Sequence, residues 1–279
     1  MMTGTKVHSG FAMALSRRSV LALAGLLLSP LPAFADDDPW PGLKTDIFGD
    51  RPLIENAGVI ALEAPYRAED AALVPMTLTI DPAKLGGATV QKITLVIDEN
   101  PAPVAAVFSL GEKSGLTKIE TRVRVNAYTM VHAVAEASDG KLYVVQRFVK
   151  ASGGCSAAAG KDPAEAKASM GKMKLRQFAT QSGKREVQLM LRHPNNSGFQ
   201  MDQVTHLYVP ARFVRDLTIK QGDDLLLKIE GGISLSEDPN IRFDYLPNGA
   251  TTFSIYAVDT DNAVFKSEFP VDPNPASPS

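Results

Sequence analysis

Cys155, the one cysteine among 279 residues, is the side chain whose type and setting could do chemistry. It lies in Ala151-Ser152-Gly153-Gly154-Cys155-Ser156-Ala157-Ala158-Ala159-Gly160, a stretch with no bulky apolar residue to anchor it to a core. A thiolate nucleophile needs exposure and room for a partner to approach. Gly153 and Gly154 permit unusual backbone angles and supply the flexibility of a carrier arm. No acid lies between Lys150 and Lys161, so the local field mildly favours the thiolate. These features predict an exposed, mobile thiol that bears a covalently bound intermediate. The alternatives are a fortuitous exposed cysteine and a buried structural one, and for the latter the segment offers nothing to pack.

The other reactive residue types are scattered. His132 falls in an expected strand, Tyr128–Glu136, and reads as a surface or edge residue. His193, followed by Pro194, opens the turn Asn195-Asn196-Ser197-Gly198, from which it could also contact the cysteine arm. His206 stands alone near Tyr208. These histidines lack metal-ligand spacing, and a lone cysteine cannot complete a zinc or haem-attachment site, so no metal is expected. Asp98-Glu99 and Glu237-Asp238 lie beside Pro or Asn and read as turns rather than acid–base pairs. Nucleophile-elbow, phosphate-loop, dinucleotide and zinc-protease motifs are missing. Neither catalytic residues nor a cofactor is predicted, and the chain reads as a non-enzyme.

The first 35 residues read as an export signal. Arg17 and Arg18 precede a short apolar run, Val20 to Leu28, and Ala33-Phe34-Ala35 supplies a small-x-small cleavage site before Asp36. Ser16-Arg17-Arg18-Ser19-Val20-Leu21 resembles the twin-arginine export signal, with Val20 in place of the usual aromatic residue; a Sec leader is the alternative. Either route leads to the periplasm. Removing 35 of 279 residues leaves 244, and taking Lys6, Arg17 and Arg18 from 29 basic residues leaves 26 against 31 acidic. With no basic cluster, neither a nucleic-acid nor a membrane-surface partner is expected. No later apolar run is long enough to span a bilayer.

Segments of period-two hydrophobicity must position the cysteine. In Lys118–Val125, Ile119, Thr121, Val123 and Val125 share one face, and Lys118, Glu120, Arg122 and Arg124 the other. Val59–Leu62, Met76–Ile80, Lys92–Ile97, Ala105–Leu110 and Leu142–Val149 read similarly, and Ser138-Asp139-Gly140-Lys141 is a hairpin turn. A second set includes Val187–Leu191, Val214–Lys220, Leu225–Ile229, Ile241–Tyr245, Phe253–Ala257 and Val264–Phe269. The expected fold is all-β, with two immunoglobulin-like antiparallel β-sandwich domains joined by a flexible Cys-bearing segment and a short helix. Residues 36–150 form the first domain, 151–172 the linker with a helix opened by Asp162-Pro163 and ended near Gly171, 173–271 the second domain, and 272–279 a frayed tail. Trp40–Asn56, rich in Pro and Gly, is expected to wrap the first sandwich as irregular structure.

The chain also resembles the SoxY and SoxZ proteins of sulfur and thiosulfate oxidation, fused into one polypeptide. The first half carries Val74-Pro75-Met76, Asp98-Glu99-Asn100-Pro101-Ala102-Pro103 and Phe108, then ends in Gly153-Gly154-Cys155, similar to the SoxY carrier motif. The second carries His193-Pro194, Gly198, Val209-Pro210-Ala211, Gly232-Ile233-Ser234, Asp238-Pro239-Asn240 and Phe243, as in SoxZ. Together these resemble the SoxYZ-like carriers associated with quinoprotein dehydrogenases. The resemblance implies a non-enzymatic periplasmic carrier whose Cys155 holds a sulfur-containing or other thiol-reactive intermediate while partner enzymes, including a quinoprotein dehydrogenase system, work on it. Ser156 and Ala157 depart from the glycines usual after that cysteine, and a cysteine tethered at both ends cannot swing as a free tail. A second reading is a docking module for such a dehydrogenase, with Cys155 dispensable. A thiol redox enzyme is disfavoured, because no resolving cysteine exists.

Overall fold

A computed structural model describes residues 1, 4, 38–158, 160, 163–180 and 183–276. The expected export signal falls almost wholly outside them, as do Asp162 at the start of the linker helix and residues 277–279 of the tail. In chain order the N-terminal half contains α1 (Trp40–Phe48), β1 (Leu53–Glu55), β2 (Ile60–Glu63), β3 (Val74–Ile80), β4 (Val90–Ile97), β5 (Val104–Leu110), β6 (Lys118–Val123), β7 (Thr129–Ala137) and β8 (Leu142–Val149). A short α2 (Pro163–Ser169) leads to β9 (Met173–Ala179), β10 (Arg185–Leu191), β11 (Val214–Gln221), β12 (Asp224–Gly231), β13 (Asn240–Tyr245), β14 (Thr252–Asp259) and β15 (Val264–Pro270). Among the described residues no helix is long and apolar enough to cross a membrane.

The strands form two layers, ordered β1-β8-β7-β4-β5-β12-β11-β14-β15 and β2-β3-β6-β13-β10-β9. Pairing is antiparallel except for β1 on β8. The sandwiches expected of the two halves are therefore continuous with one another. In one layer β5 pairs with β12, setting Phe108 opposite Ile229, and in the other β6 pairs with β13, setting Ile119 opposite Phe243. Edge strands carry unpaired N–H and C=O groups, and edge-to-edge joining satisfies both rows at once. One apolar core consequently runs from Val59 to Ala257, through Phe108, Ile119, Phe243 and Phe253.

The period-two reading places the core faces correctly. In β6, Ile119, Thr121 and Val123 are buried, and in β10 Val187, Leu189 and Leu191 are. In β12 the expected alternation slips: Leu226 and Leu227 are both buried, because a bulge between Ile219 and Lys220 of β11 skips Leu226 in the register. The hairpin at Ser138–Lys141 forms, with Gly140 at φ 81° and Asp139 accepting from the Lys141 N–H.

Away from the cysteine segment the structure departs from expectation in three further places. Trp40–Asn56 is not irregular: β1 pairs with β8 at the sheet edge, and α1 lies over β7 and β8 with Trp40 and Phe48 packed on Val134, Leu142 and Val144. The tail does not fray through residue 276, because Ala179 N–H donates to Ala276 O (2.9 Å) and Arg185 donates to Asp272 O (2.6 Å). The third is His132, which is buried rather than on the surface. Its Nδ1 lies 3.0 Å from Asp98 Oδ1, its Nε2 lies 2.7 Å from Gln146 Oε1, and Trp40 stacks on its ring at 3.6 Å. His132 shares the face of Val134, the outer side of the sheet that α1 covers, and a buried polar side chain there is tolerable because both ends find partners.

Candidate functional site

The residues that follow β6 build the site. Arg124 donates its N–H to Ser234 O (2.7 Å), tying the N-terminal half to the loop after β12. Asn100 clamps the same stretch: its amide donates to Arg124 O and Ser234 Oγ, both at 2.8 Å, and its Oδ1 accepts the Asn126 N–H at 2.8 Å. The main chain of Val125 and Asn126 is thereby fixed as a template for the cysteine segment. Gly153 N–H donates to Asn126 O (2.8 Å) and Gly154 N–H to Val125 O (3.0 Å).

Cys155 is fully buried, which overturns the expectation of an exposed, mobile thiol. That expectation weighs the bulk of neighbouring side chains, whereas the segment is held through its main chain. Gly154 is not a flexible joint here: a Cβ on it would stand 2.1 Å from Ala71 O and 2.6 Å from Val125 O, so glycine is required by close approach. Gly153 takes φ +78° and begins a turn closed by Ser156 N–H on Gly153 O (3.2 Å). Arg124 Nη1 donates to Gly154 O (3.2 Å), the Ser197 hydroxyl to Cys155 O, and Gly160 N–H to Glu237 Oε2 (2.8 Å). Both halves of the chain thus pin the segment.

Burial pushes the Cys155 thiol up, and the nearby Arg124 charge only partly opposes this. The sequence-local expectation of a favoured thiolate is reversed, because desolvation outweighs the absence of acids. Burial likewise draws the Arg124 guanidinium down, against the attraction of Cys155, Glu237 and Asp70. Arg124, expected on the polar face of β6, is instead 1% exposed. The strand ends at Val123, so the alternation that would point Arg124 to solvent no longer applies.

His193, which the sequence places in a turn able to contact the cysteine arm, bonds to Asn195 and Asp259. It is buried with Nδ1 2.7 Å from Asn195 Oδ1 and Nε2 3.4 Å from Asp259 Oδ2. Burial holds its pKa down, although the Asp259 and Asn195 bonds pull upward. Its influence reaches the site through Asn195, whose C=O accepts from Arg124 Nη2 (3.4 Å). His206 lies apart, exposed, in a turn at φ 56°. Arg124, Ser197 and Glu237 are the site residues that sequence reasoning missed; an arginine at the close of a strand pattern is the one available signal. A cleft of about 540 Å³ flanks the segment, with Arg122, Arg124, Ala158, Gly160 and Glu237 among its walls. Among the described residues no three His, Cys, Asp or Glu side chains converge as metal ligands.

The model of the sulfur oxidation protein SoxY matches residues 44–155, and that of the sulphur oxidation protein SoxZ matches 173–270. This chain is a SoxY–SoxZ fusion. The SoxY match closes on Cys155, and the SoxZ match spans β9 through β15. The fused arrangement accounts for the pinning of the cysteine segment by Ser197 and Glu237, which belong to the SoxZ region. Among solved structures, the sulfur carrier protein SoxY from Chlorobium limicola f thiosulfatophilum is 28% identical, over 40% of this chain and 91% of that one, with a TM-score of 0.33. A superoxide reductase (neelaredoxin) from Ignicoccus hospitalis is 10% identical over 34% of this chain and 80% of that one, with a TM-score of 0.30. No curated protein sequence matches the chain.

Proposed function

We propose that this SoxY–SoxZ fusion is a periplasmic, non-enzymatic carrier in which Cys155 holds a sulfur-containing or other thiol-reactive intermediate for partner enzymes of sulfur oxidation. The observation that carries the reading is that the sole thiol ends the SoxY match and sits at the junction with the SoxZ region. A buried thiol cannot be loaded in place, so carriage requires the segment around Gly153, Gly154 and Cys155 to leave its seat. The bonds that must break are few and made mainly by main-chain atoms, which suits a reversible release. The periplasmic location rests on the Arg17-Arg18 leader, and a quinoprotein dehydrogenase partner rests on the family resemblance alone. Intact-mass analysis of natively isolated protein tests the reading: a persulfide, thiosulfonate or other adduct on Cys155 supports it. Normal growth of a Cys155→Ser strain on every relevant sulfur substrate would refute it.

A docking module with a dispensable cysteine is the second reading. It is favoured by an exposed apolar loop beside the site, where Phe199, Met201, Val204, Leu207 and Tyr208 face solvent within ten residues. Unimpaired function of Cys155→Ser together with lost function of a Val204/Leu207 double variant would select it.

A further inference from the structure

The nine-stranded layer ends on β15, which pairs with β14 alone, so its other edge carries no strand. The remaining layer ends offer less. β1 has three residues and β2 four, and β9 is tied at its end by Ala179 N–H on Ala276 O. β15 runs for seven residues, Val264-Phe265-Lys266-Ser267-Glu268-Phe269-Pro270. An open row of N–H and C=O groups is a template for another strand.

The register fixes which groups lie on that edge. Asp259 N–H donates to Ala263 O (3.1 Å) and Val271 N–H to Thr251 O (2.8 Å), at the two ends of an unbroken β14–β15 ladder. Main-chain direction alternates along a strand, so Phe265, Ser267 and Phe269 bond towards β14, and Val264, Lys266 and Glu268 aim outward. The side chains divide in the same way. Phe265, Ser267 and Phe269 share the core face of Ala257, Ile255 and Phe253, and both β15 phenylalanines are only half-buried. Lys266 and Glu268 are exposed on the outer face, beside a groove of about 460 Å³. Among the described residues neither forms an ion pair, and Lys266 Nζ lies 5.4 Å from the centre of the Tyr256 ring.

We propose that β15 is a homodimer interface, pairing antiparallel with β15 of a second copy about a two-fold axis at Ser267. In that register Lys266 of each copy stands opposite Glu268 of the other, and each such pair also exchanges both main-chain bonds. On the core face Phe265 of each copy meets Phe269 of the other, which continues the apolar core across the axis. Moving the axis to Lys266 or to Glu268 sets like charges opposite each other, so the charges select the register. A lone lysine would blunt such an edge, whereas a lysine and a glutamate two positions apart cancel in an antiparallel copy. Pro270 lacks an N–H and its C=O accepts from Gln177 (2.8 Å), so pairing stops there. One short strand edge covers less than the roughly 800 Å² per partner of a standard interface, so the dimer forms and dissociates with concentration. Whether Cys155 carries cargo has no bearing on this edge.

Sedimentation velocity of the Cys155→Ser chain, in which no Cys155 disulfide can form, reads the association between about 1 and 500 µM. A monomer–dimer equilibrium is expected. Lys266→Glu and Glu268→Lys should each weaken it by about tenfold or more, because like charges then face each other. The combined reversal Lys266→Glu/Glu268→Lys should restore it. Both positions are exposed, so circular dichroism should not change. Ser267→Cys in the same background reads the register: across a non-hydrogen-bonded pair the Cα atoms stand about 4.5 Å apart, within disulfide reach. Diamide, which takes up the two protons and two electrons released by the thiols, should cross-link Ser267→Cys. It should leave Val264→Cys uncrosslinked, since the two copies of that position lie about 20 Å apart along the ladder. A monomer at every concentration overturns the interface. So does a dimer that the single reversals leave intact, that the double reversal fails to restore, or that cross-links through Val264→Cys rather than Ser267→Cys.

Discussion

Replacing Gly154 by alanine should release the cysteine segment. The new Cβ would lie 2.1 Å from Ala71 O and 2.6 Å from Val125 O. Both obstacles are main-chain atoms, and Ala71 O is itself held by the Val125 N–H at 2.8 Å, so the segment rather than its seat must yield. A retreat of roughly 1 Å restores van der Waals distance. That movement gives up the Gly153 and Gly154 N–H bonds to Asn126 and Val125 and the Arg124 bond to Gly154 O. At about 1 kcal/mol each, the loss is about 3 kcal/mol, or roughly a hundredfold gain in the open population. Where opening and closing outpace reaction, alkylation of a buried thiol follows that population. Iodoacetamide labelling of Cys155, read by intact mass and compared with a denatured control, measures it. Wild-type protein should react far more slowly than the control and Gly154→Ala about a hundredfold faster than wild type, with unchanged far-ultraviolet circular dichroism. Ser197→Ala, which removes one bond to Cys155 O, should give a smaller gain of about fivefold. Equal rates in wild type and Gly154→Ala would refute the claim that this seat protects the thiol.

The pH dependence of Cys155 alkylation should have its midpoint above the ordinary thiol value near ~8.5, because burial disfavours the thiolate; Arg124→Met should raise it further. Asp244 accepts from Thr117 N–H, Lys118 N–H and Lys184 Nζ, at 2.7, 2.7 and 2.8 Å, and so joins the SoxY and SoxZ regions. Asp244→Ala should cost about 2–4 kcal/mol and lower one cooperative calorimetric transition of the whole chain; two separated transitions would contradict the shared core. His193 is buried with its pKa held below the unfolded value near ~6.5, so the unfolded chain takes up the proton first. Stability is then full above about pH 6.5 and declines as pH falls, and His193→Gln should flatten urea midpoints measured between about pH 7 and 5.

Much of this protein is legible in its residues taken in order. Alternation in Lys118–Val123 and Arg185–Leu191 determines which side chains enter the core, because strand periodicity is a local property. The Asp139-Gly140 turn and the lone Cys155 after two glycines are local facts too. Joining the two sandwiches through β5–β12 and β6–β13 is not legible, since it depends on which edges meet after each half has formed. His132 reads as a surface residue because its partners Asp98 and Gln146 lie 34 and 14 residues away, and its stacking partner Trp40 is farther still.

The cysteine itself divides the two kinds of knowledge. The order of residues is enough to establish that one thiol exists, that it follows Gly153-Gly154, and that small residues surround it. Small side chains suggest mobility, yet the same smallness lets Gly154 press against Ala71 O and Val125 O, which a side chain would forbid. The choice between those outcomes belongs to the folded molecule, because Arg124, Ser197 and Glu237 reach the segment from 30, 42 and 77 residues away. Contacts that close such long loops are offset by the cooperative assembly of both sheets and leave no periodic trace in the chain.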